Sequence, residues 1–358
     1  REVSGLAAEV IATVNSSGRA VTAVDIPSGL DSDSGHVLGS VLRAALTVSF
    51  IGRKIGCYLG DGPDCTGHLA FDGLGVPAGT YDGVPLAAEL IDEALVARAL
   101  PPRSRAAHKG LFGHVLVIGG GPGMPGAPRL AGEAALRAGA GLVTVAVHPD
   151  NAGAVAQRPE LMCAAVAGPD ELNAPLARAT VIAVGPGLGQ GKWSRELMGA
   201  ALASGLPAVV DADALNLLAE REQRREHWVL TPHPGEAARL LGLESGAAVQ
   251  RDRLATAREL QSRRGGTVVL KGAGSIVQAG QGTPALCDRG NPGMAVAGMG
   301  DVLTGVIAGI AAQCGDLALA ARAGVFVHAQ AGDLAARRGE RGTLASDVIR
   351  QVRACVNP

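Results

Sequence analysis

Short apolar segments alternate with helical segments from about residue 114 of this 358-residue chain onward, and each is followed by a turn containing glycine, proline or charged residues. The apolar segments are residues 115–118, 142–147, 181–184, 208–210, 229–231 and 268–271. Apolar strands that alternate with helices are typical of a mostly parallel sheet covered on both faces. In such sheets ligands bind outside the carboxyl ends of the strands. The sequence therefore predicts an α/β fold with functional residues at these strand ends.

Composition excludes several classes of function. The net charge is -1, from 32 Lys+Arg and 33 Asp+Glu, so bulk electrostatics give no reason to bind nucleic acid or an anionic membrane. The six cysteines form no C-x-x-C pair, which argues against a structural zinc site and favours a reducing compartment. No signal peptide or membrane-length apolar stretch is found. We therefore expect a cytoplasmic protein without a membrane or nucleic acid partner.

The first hundred residues have a weaker pattern. Residues 20–26 and 46–51 are strand candidates. Residues 98–105 contain adjacent prolines and several arginines, and adjacent prolines break both helices and strand ladders. We therefore expect a linker there, which divides the chain into domains 1–100 and 101–358. Helices are predicted over residues 129–140, 193–202, 250–263 and the apolar stretch that starts at 302.

Two glycine-rich stretches resemble phosphate-binding motifs without fulfilling them. Residues 121–126 fit G-x-G-x-x-G between a strand and a helix. A dinucleotide fold would place an acidic residue at the end of the next strand, but His148 follows it instead. Residues 187–194 resemble a P-loop, but its first glycine falls on Pro186 and Trp193 stands at the Mg²⁺-binding hydroxyl position. We interpret both stretches as turns that shape a different pocket.

Residues 291–301 lead into an apolar helix and predict an anion site. The free N–H groups of a helix start bind anions, and glycines let a ligand approach the backbone, so Gly298, Met299 and Gly300 are candidates for an anion hole. Asp301, in the first turn, is placed to act as a general base beside a bound phosphate. The alternative is an ordinary capping aspartate.

Other strand ends also carry polar groups whose roles the pattern leaves open. His233 and Glu236 follow one strand, where they could serve a ligand or only the start of a helix. Asp211 and Asp213 could bind a cation or cap a helix. Near the amino terminus, a carboxylate and a hydroxyl follow a strand and could hold a small ligand or a cation; these are Asp25 and Ser28.

A lysine followed by small residues ends another strand. The stretch consists of Lys271, Gly272, Ala273, Gly274 and Ser275. Backbone N–H groups and one cation could cradle a nucleotide phosphate there. The alternative is a glycine hairpin turn into a strand over residues 275–278.

Taken together, these segments resemble one family. Residues from about 108 to 355 resemble the ADP- or ATP-dependent NAD(P)H-hydrate dehydratases of the ribokinase-like superfamily. The matching segments are residues 108–110, 124–127, 184–189, 211–216, 231–236, 271–275 and 290–301. Residues 1–76 resemble the second half of an NAD(P)H-hydrate epimerase domain, without its first half. The resemblance implies a ribokinase-like three-layer αβα sandwich preceded by a partial Rossmann-like epimerase domain.

The resemblance also implies a repair reaction on hydrated NADH or NADPH. The terminal phosphate of a nucleotide activates the ring hydroxyl, and elimination of phosphate regenerates NAD(P)H. With ADP as the donor the products are AMP and phosphate, and Mg²⁺ accompanies the nucleotide. The epimerase part is expected to lack activity alone, although K⁺ could bind there. A homo-oligomer, by family resemblance a tetramer, is expected.

The resemblance assigns roles to individual residues. Asp301 would be the base and would contact substrate, next to the anion hole of residues 298–300. Residues 271–275 and Gly300 would hold the nucleotide. The binding site for the hydrated nicotinamide nucleotide would be lined by Ala127, Gly187 and His233. Glu236 would organise Mg²⁺ through water. In the epimerase part, Asp25 would contact substrate and Ser28 would bind K⁺.

The same features are compatible with two alternative functions. A ribokinase-like small-molecule kinase, acting on a vitamin precursor for example, would share the fold, the anion hole and the base but would release a phosphorylated product. A nucleotide-sensing protein would use the same pocket without turnover.

Overall fold

The computed structural model describes residues 2–357, and contacts between Cα atoms divide the chain into two compact units. The first is Arg1–Glu89 with Gln250–Arg253, and the second is Leu90–Val249 with Leu254–Pro358. The division in the structure thus falls after Glu89, while the sequence domains 1–100 and 101–358 stay a prediction.

The first unit contains a small parallel sheet. Its strands are β1 (Thr22–Val24), β2 (Leu46–Phe50) and β3 (His68–Asp72), in the order β1-β2-β3. Its helices are α1 (Gly5–Ser16) and α2 (Gly62–Thr66). The strands predicted over 20–26 and 46–51 are confirmed, with tighter bounds for the first, whereas β3 was not predicted. The edge strand β1 leaves the Val24 side chain 74% exposed.

The second unit is built on a sheet to which ten strands belong among the described residues. They are β4 (Glu89–Leu90), β5 (His114–Ile118), β6 (Leu142–Val147), β7 (Met162–Ala165), β8 (Val181–Val184), β9 (Ala208–Val210), β10 (Trp228–Leu230), β11 (Thr267–Leu270), β12 (Ser275–Ala279) and β13 (Ala285–Cys287). The strand order is β4-β13-β12-β11-β10-β9-β8-β5-β6-β7. All pairs from β7 to β11 are parallel, and β11-β12 and β12-β13 are antiparallel. The mostly parallel sheet is confirmed.

Helices cover both faces of this sheet. Their bounds are α3 (Glu93–Ala99), α4 (Gly126–Ala138), α5 (Ala152–Val155), α6 (Pro169–Leu176), α7 (Lys192–Ala203), α8 (Ala212–Ala219), α9 (Pro234–Leu241), α10 (Gly246–Arg251), α11 (Arg253–Arg264), α12 (Met299–Cys314), α13 (Leu317–Ala335) and α14 (Ala345–Cys355). The helix predicted over residues 250–263 is interrupted, because α10 ends at Arg251 and α11 begins at Arg253.

The alternation of side chains along β5 shows the three layers. Val115 and Val117 join the core cluster that includes residues of α4, α12, α13 and α14. Leu116 and Ile118 are equally buried and lie on the opposite face of the strand, since successive side chains alternate. Such burial on both faces explains why parallel strands are apolar throughout. The fold is a ribokinase-like α/β sandwich, as the resemblance implied.

Some elements lack a signal in the sequence pattern. Leu95, Val96 and Ala99 of α3 join the main core, although their surroundings are poor in periodicity. The linker predicted over residues 98–105 is confirmed only for residues 101–105, which are exposed and without regular structure, because Arg98 and Ala99 belong to α3 and Ala99 is 1% exposed. Helix α13 was also not predicted, because small and apolar residues cover most of it and leave little amphipathic contrast. Helix α14 was missed although its buried residues recur at helical spacing.

Candidate active site

The carboxyl ends of five neighbouring parallel strands meet at one edge of the large sheet. Strands β5, β8, β9, β10 and β11 are parallel to one another, so the turns that follow them lie at the same edge. The Lys271 N–H donates to the Pro232 carbonyl at 2.9 Å, which joins two of these turns directly. The edge therefore gathers the predicted strand-end motifs of the second unit.

Gly187 and Ala127, both predicted to line the substrate site, are in contact. Gly187 has a φ of +56°, a conformation that favours glycine. A Cβ atom added there would lie 3.2 Å from the Cβ of Ala127 and 3.1 Å from the Cβ of Met124. The same loop is tied to the next strand end, because the Gly189 N–H donates to Oδ2 of Asp213 at 2.8 Å. These contacts shape one wall of the candidate site.

Lys271 is held by carboxylates of two other strand ends. Its Nζ donates to Oδ1 of Asp211 at 2.7 Å and lies 3.7 Å from Oε2 of Glu236. Asp211 is 1% exposed. Burial alone would lower the pKa of Lys271, but the charges of Asp211 and Glu236 raise it above its ordinary value. The lysine is therefore a charged, largely enclosed ammonium at the sheet edge, with 18% of its side chain exposed.

His233 and Glu236 begin helix α9 as a reciprocal cap. The His233 Nδ1 accepts from the Glu236 N–H at 3.3 Å, and the His233 N–H donates to Oε2 of Glu236 at 2.8 Å. Burial, with the nearby charge of Lys271, lowers the pKa of His233, so the ring is neutral. Burial also raises the pKa of Glu236. The helix-start alternative is therefore the observed arrangement, and the Nε2 atom of His233 lies 3.4 Å from Oε1 of Glu236.

Helix α12 begins with the predicted anion hole. Gly298 has a φ of +90°, and no side chain in the described part of the chain caps this helix end. The first intrahelical bond runs from Val302 N–H to the Gly298 carbonyl at 3.1 Å. The N–H groups of Met299, Gly300 and Asp301 precede it and have no intrahelical acceptor. These groups are a ready anion-binding site.

Asp301 lies in the first turn of α12 and is partly buried. Burial, together with the negative charges of Asp211 and Asp213 and against the positive charge of Lys271, raises the pKa of Asp301 to about 7. A carboxyl group with this pKa is suited to accept a proton near neutral pH. The sequence placed the residue correctly, but its pKa depends on groups from other strand ends.

Residues 271–275 form a tight turn between β11 and β12. The Ser275 hydroxyl donates to the Gly272 carbonyl at 2.9 Å, and Gly274 has a φ of +64°. The hairpin alternative is therefore the observed conformation, and it lies beside the anion hole: a Cβ added to Gly300 would be 3.3 Å from Lys271 Nζ. A hairpin turn at this place remains compatible with a nucleotide contact through its backbone.

The first unit has a separate cluster at the ends of β1 and β2. Asp25 has a φ of +72°, and its carboxylate is paired with the ammonium of Lys54 and accepts from the Phe50 N–H at 3.0 Å. Burial opposes these bonds, but together they lower the pKa of Asp25. Ser28 is exposed. Lys54 was not predicted as a site residue, although it lies three residues after the strand candidate 46–51.

The described residues contain no group of three or more His, Cys, Asp or Glu side chains arranged to hold a metal ion. Glu236 is 5% exposed, and its two oxygens contact His233 and Lys271. Direct ligation of Mg²⁺ by protein groups alone therefore does not fit this edge. Mg²⁺ characteristically keeps several waters and binds through substrate phosphates together with one or two carboxylates. None of the helices within residues 2–357 has the length and apolar character to cross a membrane.

Comparisons with known proteins agree with this architecture. A family profile for NAD(P)H-hydrate dehydratase matches residues 115–353, and one for the YjeF-related protein N-terminus matches residues 1–56. Among solved structures, an ADP/ATP-dependent NAD(P)H-hydrate dehydratase from Bacillus subtilis, co-crystallised with ATP and Mg²⁺, is 28% identical and superposes with a TM-score of 0.68 over 76% of this chain and 98% of its own. A ribokinase-like superfamily protein from Enterococcus faecalis is 29% identical, with a TM-score of 0.68 over 75% of this chain and 95% of its own.

The fold and the site thus define a ribokinase-like protein of the NAD(P)H-hydrate dehydratase type. The bifunctional NAD(P)H-hydrate repair enzyme Nnr of Coxiella burnetii is 49% identical over 99% of this chain and 74% of its own length. The enzyme of the same name from Escherichia coli is 44% identical over 98% of this chain and 68% of its own. The chain belongs to the family of bifunctional NAD(P)H-hydrate repair enzymes.

Proposed function

We propose that this chain catalyses the ADP-dependent dehydration of the S epimer of hydrated NADH or NADPH, and that it releases AMP and phosphate. The observation that carries the proposal is Asp301: a carboxyl group with a pKa of about 7 in the first turn of a helix whose start has no side-chain cap and whose first N–H groups have no intrahelical acceptor. A proton acceptor and an anion-binding helix start are thus adjacent, as phosphoryl transfer to a hydroxyl requires.

In the proposed reaction, Asp301 takes the proton of the ring hydroxyl while the hydroxyl oxygen attacks the terminal phosphoryl group of ADP. The bond between that phosphorus and the bridging oxygen breaks, and AMP leaves. The N–H groups of Met299 and Gly300 stabilise the charge that develops on the phosphoryl oxygens. Phosphate is a better leaving group than hydroxide. The ring then expels phosphate, loses the neighbouring proton and becomes the reduced nicotinamide.

We place the hydrated nicotinamide nucleotide beside the wall of the candidate site that contains Gly187. Gly187 and Ala127 are adjacent, and we place the ring of His233 on the same ligand. The turn from Lys271 to Ser275 would hold ADP mainly through its backbone, because the lysine ammonium is already paired with Asp211. Gly300 lies between this turn and the base, where the terminal phosphate would bind.

Mg²⁺ bound with ADP would neutralise part of the charge of its phosphates. We propose that Glu236 acts on this ion only through water. Its carboxylate is held by the His233 N–H at 2.8 Å and is almost fully buried, so it would orient a water molecule rather than bind the ion directly. A related dehydratase co-crystallised with ATP and Mg²⁺ supports this use of the ion.

The test is incubation of the purified protein with hydrated NADH, ADP and Mg²⁺. We expect the absorbance of reduced nicotinamide to return while AMP and free phosphate appear in equal amounts, with ATP compared as the donor. A stable phosphorylated product without phosphate release would identify the kinase alternative. Nucleotide binding without turnover would identify the sensor alternative.

We further propose that the first unit of this chain does not epimerise hydrated NAD(P)H by itself. Its sheet has three strands among the described residues, and its candidate carboxylate, Asp25, is paired with Lys54. Asp25 would contact the substrate, and K⁺ at Ser28 stays a prediction. If the proposal holds, the R epimer remains after the S epimer is consumed, with or without added K⁺. Its consumption would show a working epimerase.

The predicted homo-tetramer can be tested in the same preparation by light scattering.

A further inference from the structure

Asp211 has a role that neither of its two sequence-based interpretations describes. It stands at the N-cap position of α8, but its side chain makes no capping hydrogen bond. The carboxylate is 1% exposed and bonds two side chains from elsewhere in the fold. Oδ1 accepts from Lys271 Nζ at 2.7 Å, and Oδ2 accepts from the Thr304 hydroxyl at 2.8 Å. The residue is neither an ordinary helix cap nor part of a metal cluster.

The backbone beside Asp211 is also unusual. Ala212 has a φ of +49°, in the left-handed region that residues other than glycine rarely adopt. Such conformations persist where the surrounding structure holds them, and they concentrate at functional sites. The unfavourable conformation therefore occurs at the start of α8, where the Asp211 side chain does not cap the helix and is bonded to Lys271.

Asp211 joins three elements that form the candidate active site. It follows β9, Lys271 follows β11, and Thr304 lies in the second turn of α12. A Cβ added to Gly300 would lie 3.3 Å from Lys271 Nζ and 3.4 Å from Asp211 Oδ2. The ion pair therefore lies next to the Gly300 backbone of the anion hole, with no room for a side chain between them.

The same junction controls the charges around Asp301. The charged groups that act on Asp301 come from three elements: Asp211 at the end of β9, Asp213 on α8 and Lys271 at the end of β11. The two aspartates favour the protonated form of Asp301, and the lysine favours the ionised form. Because Asp211 also anchors Lys271 through their ion pair, it influences the base both directly and through the lysine.

We propose that Asp211 is a positioning residue of the dehydratase site, which acts through Lys271 and Thr304 to fix the first turns of α12 and the proton affinity of Asp301. This inference rests on the proposed function. Thr304 becomes the third member of the junction, because its hydroxyl connects the carboxylate to the helix that carries the base.

The kinetic test uses Thr304→Val, which removes the hydroxyl at nearly constant volume. We expect kcat to fall by about tenfold or more while KM for ADP and for the hydrated dinucleotide stays within about twofold, since the lost hydrogen bond is to a charged group. Thr304→Ser should restore kcat to within about twofold of wild type. The matched control is Thr144→Val, which removes a buried hydroxyl bonded to His114 at 2.8 Å and should keep wild-type kcat. Wild-type kcat in Thr304→Val, or no recovery in Thr304→Ser, would overturn the proposal.

A second measurement does not depend on turnover. In Asp211→Asn, the pKa of Asp301, followed by ¹³C carboxyl NMR and assigned with Asp301→Asn, should fall because one negative charge is removed and Lys271 stays. An unshifted pKa would overturn the proposal. If wild type does not dehydrate the substrate but this pKa falls, the proposed function fails while the positioning relationship holds. If Asp211→Asn does not fold, the Thr304 variants decide.

Discussion

The carboxylate of Asp333 accepts a hydrogen bond from the side-chain amide of Asn291, with 2.9 Å between Nδ2 and Oδ1, and a second from the Gly290 N–H at 3.1 Å. Asn291 in turn accepts from the Gly293 N–H at 3.0 Å. Helix α13 thereby holds the loop that enters the anion hole. Met294 strengthens this attachment, because its sulfur fills the space beside Gly332. The anion hole therefore depends on a helix that contributes no proposed catalytic group.

Asp333→Ala should loosen this loop. We expect a loss of about 1–3 kcal/mol in the free energy of unfolding, because the carboxylate bonds are removed, and a clear fall in kcat as the anion hole loses its position. Urea unfolding and steady-state kinetics measure both. Asp316→Ala is the matched control, since Asp316 caps the other end of α13 through the Leu319 N–H at 3.0 Å and its loss costs about 1 kcal/mol. Equal activity of the two variants would contradict a role for the loop attachment.

Asp301→Asn should abolish turnover while ADP still binds. A general base contributes about 10²–10⁴-fold, so the loss should be large. Calorimetry with ADP and the dehydration assay measure the two effects separately. Asp347→Asn is the control, because Asp347 occupies the same first-turn position on α14, where it bonds the Leu344 N–H at 2.9 Å. Near-normal activity of Asp301→Asn would show that the base is assigned wrongly.

The pKa of Asp301 predicts how activity and stability depend on pH. The base must be ionised, so kcat/KM should fall about tenfold per pH unit below about pH 7. The folded-state pKa lies above the ordinary value of 3.8, so the native protein binds more protons than the unfolded chain between these values. Stability should therefore fall as pH rises from about 4 to 7 through this group. Asp301→Asn removes this dependence and should melt at a higher temperature than wild type at pH 8. A lower melting temperature there would contradict the shift.

Lys271→Met should destabilise the protein strongly. The buried Asp211 carboxylate would lose its ion pair, and breaking a buried pair costs about 3–5 kcal/mol. The double variant Lys271→Met with Asp211→Asn should recover part of this loss, because no buried charge is then left alone. Urea unfolding of the two single variants and the double variant gives the coupling energy. Strictly additive losses would show that the two side chains do not stabilise each other.

Gly187→Ala should impair binding of the hydrated dinucleotide. The substitution strains a left-handed backbone by about 1–2 kcal/mol and places a methyl group against Met124 and Ala127. Gly205→Ala is the matched control, because Gly205 has a φ of +73° but nothing within 4 Å of an added Cβ. Both variants should lose stability, and only Gly187→Ala should raise KM for the hydrated substrate. The same KM in both would argue that Gly187 does not line the site.

Much of the site follows from local sequence, because the carboxyl ends of neighbouring parallel strands share one edge of the sheet. The strands over residues 142–147, 181–184 and 208–210 are confirmed with the predicted bounds. Gly298 and Asp301 were identified from the helix start that they form. Helix α13 was not predicted, because its burial on many sides removes the periodic contrast on which such predictions depend.

The amino-acid sequence by itself determined the class of fold, the turns that follow the strands and the residue types available for phosphoryl chemistry, since strand apolarity and glycine placement act over a few residues. Only the tertiary structure decided how those groups are used. Asp211 and Thr304 are 93 residues apart in the chain, and Asp211 and Lys271 are 60 apart, yet hydrogen bonds join them. The proton affinity of Asp301 arises from that proximity and from burial, and burial depends on how the helices pack on the sheet.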